Sequence, residues 1–178
     1  DGTAPPAKIV FATSQGFTGN LGGLGGADAI CQAEANAAGL SGTFKAFLSD
    51  NNTSAADRLY HSPLPYILVN GTPIAADWAD LVDGTIDNPL NIDAAGHPVS
   101  GYVWTGSDRD GTKATYFPGD YPDGFQLDLT CDDWTMETSS SHYLGARGKV
   151  DELSSWNDWW QGDGSPCSSR LGLYCIEQ

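Results

Sequence analysis

Apolar and polar positions along the chain alternate in short runs, and the period of each run predicts an element. Lys8 to Thr13 (Lys-Ile-Val-Phe-Ala-Thr) predicts a first strand. Gly16 to Gly26 holds six glycines among eleven residues and predicts a loop. Ala27 to Ala38 is alanine-rich, with Ile30, Cys31, Ala35 and Ala38 at roughly helical spacing, and Gly39 supplies a helix stop. Cys31 therefore belongs on the buried face of that helix. Thr43 to Ser49 predicts an apolar strand, and Ser54-Ala-Ala-Asp57 has the logic of a capping box opening a short helix through Leu59. Tyr66 to Val69 and Thr72 to Ile74 flank Asn70-Gly71, a strong hairpin signal. Asp77 to Leu81 predicts a helical turn, Tyr102 to Thr105 and Cys131 to Thr135 predict strands, and Leu171 to Glu177 predicts a closing strand. Two long polar stretches remain, Gly106 to Thr130 and Thr138 to Pro166, and both read as loops. No internal repeat is present.

Residues 1–7 read as a linker or processed N-terminus, and residues 8–178 as one domain. With 40% hydrophobic residues the chain can bury a core, while 22 glycines and 10 prolines predict a loop-rich body. The charge changes the picture of its partners. With 8 basic against 23 acidic residues the formal net charge is -15, which argues against nucleic acid and heparin, both polyanions. Divalent cations suit such a surface better. Cys31, Cys131, Cys167 and Cys175 form no CxxC pair, and His61, His97 and His142 show no zinc spacing. Four cysteines in a Gly-rich acidic chain predict two disulfides and an oxidising compartment, hence a secreted protein or the extracellular surface. Counting alone leaves three possible pairings open. No apolar run of about 18 residues occurs, so this segment is expected not to insert into a membrane.

Several ordered blocks carry a family resemblance. Gly26-Ala-Asp-Ala-Ile-Cys31 and Ala38-Gly-Leu-Ser-Gly-Thr-Phe-Lys-Ala-Phe-Leu-Ser49 are followed by Val103-Trp-Thr-Gly-Ser-Asp108 with Gly111, by Cys131-Asp-Asp-Trp134-Thr, and by Cys167-x7-Cys175-Ile-Glu. Together they resemble endostatin, the C-terminal domain of certain collagens, and the related domains of bacterial secreted proteins. The resemblance implies an α+β, C-type lectin-like fold: mixed antiparallel sheets, one or two helices, long loops and two disulfides. It also implies the nested pairing Cys31–Cys175 outside and Cys131–Cys167 inside. Two endostatin properties do not transfer. Its heparin face is arginine-rich, whereas this chain has only Arg58, Arg109, Arg147 and Arg170. Its zinc site uses histidines near the N-terminus, and Asp1 to Phe11 contains none, so no zinc is predicted.

Candidate chemistry concentrates between Cys131 and Cys167. Trp156-Asn157-Asp158 spells the WND motif of sugar-binding C-type lectins, in which the Asn and Asp help hold calcium. Tyr121-Pro122-Asp123 resembles the QPD motif of galactose-type lectins, with Tyr121 in place of the ligand Gln. The metal candidates are thus Asp123, Asn157 and Asp158, with calcium as the cofactor, because its flexible shell of oxygens can exchange for sugar hydroxyls. Trp156, Trp159, Trp160 and Tyr143 are the aromatic candidates for stacking on a ligand. Asp108-Arg-Asp110-Gly111 lacks the full EF-hand pattern, and a structural hydrogen-bonding role is expected for Asp108. No GxSxG or HExxH motif occurs, and disulfides leave no cysteine nucleophile, so no enzyme is predicted. The reading is a secreted, non-catalytic module that binds a glycan or an extracellular protein. Its alternative is a protein-interaction or structural domain of a bacterial surface protein with no glycan binding.

Overall fold

The structure, a computed structural model, describes residues 6–115, 127–154 and 164–178. Among these, nine strands and four helical segments follow one another: β1 Lys8–Ala12, α1 Gly23–Ala37, β2 Phe44–Ala46, α2 Ala55–Arg58, β3 Tyr66–Leu68, β4 Pro73–Ala75, α3 Trp78–Leu81, β5 Tyr102–Trp104, α4 Cys131–Trp134, β6 Leu144–Gly145, β7 Arg147–Lys149, β8 Ser165–Pro166 and β9 Gly172–Glu177. Seven of the strands form one sheet in the order β4-β3-β1-β9-β5-β7, with β2 also paired to β9, and β6-β8 form a separate ladder. The domain is α+β and sheet-dominated.

β9 organises the sheet. One edge takes β1 antiparallel, Phe11 opposite Cys175. The other edge takes β2 antiparallel along Cys175–Glu177 and β5 parallel along Gly172–Leu173. β1 also pairs β3 in parallel. Two of the pairings, β1–β3 and β5–β9, are parallel, so the sheet is mixed. They arise where the chain crosses over between strands and returns in the same direction.

Alternation sends successive residues to opposite faces. Phe11, Phe44, Ala46, Trp104, Leu173 and Cys175 join one core cluster with Ala27, Cys31 and Ala35 of α1. Val10, Ala12, Val103, Tyr174 and Ile176 join the other, under Leu59, Trp78, Leu81, Ile86, Leu90 and Ile92. Both faces are covered, which explains why β9 reads as a continuous apolar run. Burial pushes the Tyr174 phenol well above its ordinary pKa.

α1 buries Ala27, Cys31 and Ala35, one face at a four-residue repeat. It begins at Gly23, four residues before the expected start. Gly22 caps it in the left-handed conformation, no side chain caps it, and no acid occupies its first turn, so the usual sequence signals are missing. Its end is the expected one. Gly39, at φ 74°, donates to Asn36 O, and Leu40 donates to Ala35 O, a Schellman arrangement that a glycine at this position permits. Asp28 Oδ1 accepts from Ala46 N at 3.0 Å and ties the helix to β2. Ser54 caps α2 and Asp77 caps α3, each through its side chain.

Two disulfides close the domain. Cys31 joins Cys175, and Cys131 joins Cys167, with Cα separations of 5.4 and 5.6 Å. This is the nested pairing that the resemblance implies.

Two expectations are corrected. Cys131 to Thr135 is not a strand but the turn α4. Thr138 to Pro166 is not bare loop, since β6, β7 and β8 lie within it. These strands are two or three residues long, and Gly145 and Gly148 break their alternation, so their pattern is too short to stand out.

Candidate functional site

The inner disulfide stands at the base of the loop that the sequence marks out. Cys131, Asp132, Asp133 and Trp134 all have positive φ, at 49, 54, 56 and 63°. Four consecutive non-glycine residues in the left-handed region cost about 1–2 kcal/mol each, so their surroundings must impose the conformation. The contacts that do so are specific. Asp128 Oδ1 accepts from Asp132 N at 2.9 Å, and Thr130 Oγ1 accepts from Asp133 N at 3.2 Å. Asp133 Oδ1 accepts from Asn51 N at 2.8 Å. The Trp134 indole is fully buried, stands 5.8 Å from the Trp104 ring, and donates to Ser49 O at 2.7 Å. Cys131 is covalently fixed to Cys167.

β6 pairs with β8, Gly145 opposite Ser165, and so brings the two sides of the loop together above that disulfide. Gly145 is tightly placed, because a Cβ there would lie 2.4 Å from the Trp104 ring and 3.2 Å from Cys131 Sγ. Tyr143 is half-buried and packs against the cluster formed by Trp104, Trp134 and the disulfide. Trp156, Asn157, Asp158, Trp159, Trp160 and Asp123 lie outside the described residues.

Beside this frame lies a feature that the sequence reading passed over. The Arg147 guanidinium stacks on the Tyr102 ring at 3.8 Å, and its Nη1 donates to Ser165 Oγ at 2.9 Å. One arginine thus links β5, β7 and β8. Tyr102, 38% exposed, borders a cleft of about 520 Å³ between Thr13–Gly16, Pro98–Val103 and Arg170–Gly172. Ser14 N, at the lip, donates to Glu34 Oε1 at 2.7 Å. The half-buried Glu34 carboxyl has its pKa raised, first by desolvation, against the hydrogen bonds from Ser14 that lower it, with the Asp93 charge adding to the rise. The one available signal was Tyr102 itself, the outward member of an alternating Tyr-Val-Trp run.

The described residues include no group of three or more His, Cys, Asp or Glu side chains able to hold a metal ion. Asp108 and Asp110 hold a turn instead. Asp108 Oδ2 accepts from Thr115 Oγ1, and Asp110 Oδ1 accepts from Thr112 N and Oγ1. Asp132 and Asp133 belong to the left-handed turn, and Glu152 pairs with Lys149 at 3.0 Å. His61 stacks on Trp78, and His97 faces Asp93.

Fold and surface together define a disulfide-closed, sheet-dominated α+β domain, with a framed loop and an adjacent cleft bearing tyrosine and arginine. The chain belongs to the family described as "Protein of unknown function (DUF1554)", which residues 14–153 match. It is also similar to the human collagen alpha-1(XVIII) chain, 27% identical over 187 aligned positions that take in 97% of this chain. The chain spans 10% of that collagen's length. This similarity supports the endostatin-like, C-type lectin-like reading of the fold. It also fits a non-enzymatic domain, and with two disulfides it is consistent with an extracellular location.

Proposed function

We propose that this domain is an extracellular, non-catalytic binding module that recognises glycans through the loop between Cys131 and Cys167. The observation that carries the reading is the frame at the base of that loop. The disulfide, the left-handed turn and the β6–β8 ladder are the kind of rigid support on which binding loops work, because support removes the entropy cost of ordering them. Trp156, Trp159, Trp160 and Tyr143 supply the aromatic faces for stacking on sugar rings. Asp123, Asn157 and Asp158 supply carbonyl and carboxylate oxygens of the type calcium takes. When bound, calcium would offer coordination positions to sugar hydroxyls. The placement belongs to the outer surface of a cell, bacterial by the resemblance.

A glycan array probed with the full chain, with and without chelator, tests the proposal. Binding that falls on chelation is expected. So is loss of binding in Trp159→Ala with an unchanged melting temperature. Silence in both conditions would remove glycan recognition. The protein-interaction or structural role on a bacterial surface would then remain.

A further inference from the structure

The cleft beside Tyr102 differs from the rest of the molecule in charge. The chain has 23 acids against 8 bases, yet among the described residues no aspartate or glutamate borders the cleft. Arg170 is the one charged side chain among the described residues that border it. That guanidinium is exposed and takes part in none of the ion pairs among the described residues. A cation outside those ion pairs, in a molecule of net charge -15, is a local exception to the global field.

The walls add two further properties. Tyr102 is held in orientation by the Arg147 guanidinium on its ring and by the anchor of that guanidinium on Ser165. A fixed, part-exposed aromatic ring is a stacking surface whose ordering cost is already met in the free protein. Ser14, Gln15 and Ser100 border the same space and bring hydroxyl and amide groups that both donate and accept, as ring hydroxyls require. The volume of about 520 Å³ lies within the range of small-molecule sites, roughly 300–1,000 Å³.

We propose that this cleft is a carbohydrate site separate from the Cys131–Cys167 loop, and that it takes a pyranose bearing one carboxylate. Tyr102 stacks on the ring, Arg170 pairs with the carboxylate through its planar fork, and Ser14, Gln15 and Ser100 meet the hydroxyls. A single negative charge balances the single guanidinium. The surrounding excess of acid opposes anything more highly charged.

The test is a titration of the full chain followed by amide chemical shifts, with methyl β-D-glucuronide, methyl β-D-glucoside and glucose 6-sulfate in separate arms. Shifts are expected to gather at Ser14–Gly16, Gly101–Val103 and Leu171–Gly172. The glucuronide should bind about tenfold more tightly than the glucoside, the scale of one charge-assisted hydrogen bond. Arg170→Gln should abolish that preference while the glucoside still binds, and Tyr102→Leu should weaken both sugars with the rest of the spectrum unchanged. Equal affinity for glucuronide and glucoside overturns the proposal, as does equal affinity for glucose 6-sulfate. Shifts in other regions, or no binding of any sugar, overturn it too. Trp159→Ala and chelator are expected to leave the titration unchanged. Loss in either would move the binding to the loop and refute a separate site, so failure here and failure of the loop proposal are read from different arms.

Discussion

Glu34 joins helix α1 to the lip of the cleft, through the bond that Ser14 N donates to its carboxylate. Desolvation raises its folded pKa above 4.5, so between that value and the raised one the folded protein binds more protons at this site than the unfolded chain does. Its contribution to stability is therefore complete below about pH 4.5 and is lost as pH rises through the raised value. Glu34→Gln keeps an acceptor for Ser14 and removes the charge. The variant should melt higher than the parent at neutral pH, and the gap should close as pH falls toward 4.5. Parallel melting curves across that range would show that burial of this charge carries no cost.

Among the elements, the left-handed turn at Cys131–Trp134 separates two aspartates by what their side chains do. Asp133 accepts from Asn51 N, whereas the Asp132 contacts named above run through its backbone N–H. Asp132→Gly relieves about 1–2 kcal/mol of left-handed strain and gives back about 0.4–1 kcal/mol through the freer unfolded chain. A net gain of between about 0 and about 1.6 kcal/mol is expected. Asp133→Gly also loses the bond to Asn51 and should be neutral or destabilising. Urea midpoints of the two variants decide it: a lower midpoint in Asp132→Gly would mean that the turn is not strained, and equal shifts would mean that the bond from Asn51 N to Asp133 contributes nothing. This turn also shows where sequence reading ends. β1, β9, the Asn70-Gly71 hairpin and the Gly39 stop were legible because period, turn chemistry and capping agree locally. Cys131-Asp-Asp-Trp134 has no local preference for its conformation. Thr130, Asp128, Asn51, Ser49 and Cys167 impose it, and most of these are distant in sequence. The cleft was illegible for the same reason. Tyr102, Arg147 and Arg170 lie on separate strands and loops, and only the β5–β7 and β5–β9 pairings bring them to one surface.

At the scale of the molecule, the two disulfides act over different spans. Cys31–Cys175 closes 144 residues and Cys131–Cys167 closes 36. In the chain-entropy model their removal costs about 5 and about 4 kcal/mol. The double variant Cys31→Ser/Cys175→Ser should therefore unfold at lower urea than Cys131→Ser/Cys167→Ser. The reverse order would mean that the inner bridge stabilises chiefly by holding the left-handed turn and its buried tryptophan, rather than by shortening the loop.

The central position of β9 also sets the order of events during synthesis. β1 precedes the other strands of this domain, yet its antiparallel partner and the partner of Cys31 lie more than 140 residues later. Until residues 172–177 are made, β1, β2 and β5 have no common strand to pair with, and the two cores have no shared wall. Contacts this distant along the chain fold slowly, because loop closure must precede them. This domain thus stays without its central strand until residues 172–177 follow the other strands. An unpaired chain of this kind is the state in which a polypeptide can be threaded across a membrane, and the Cys31–Cys175 bridge would then form in an oxidising compartment, where an oxidant takes the two electrons released by the two thiols.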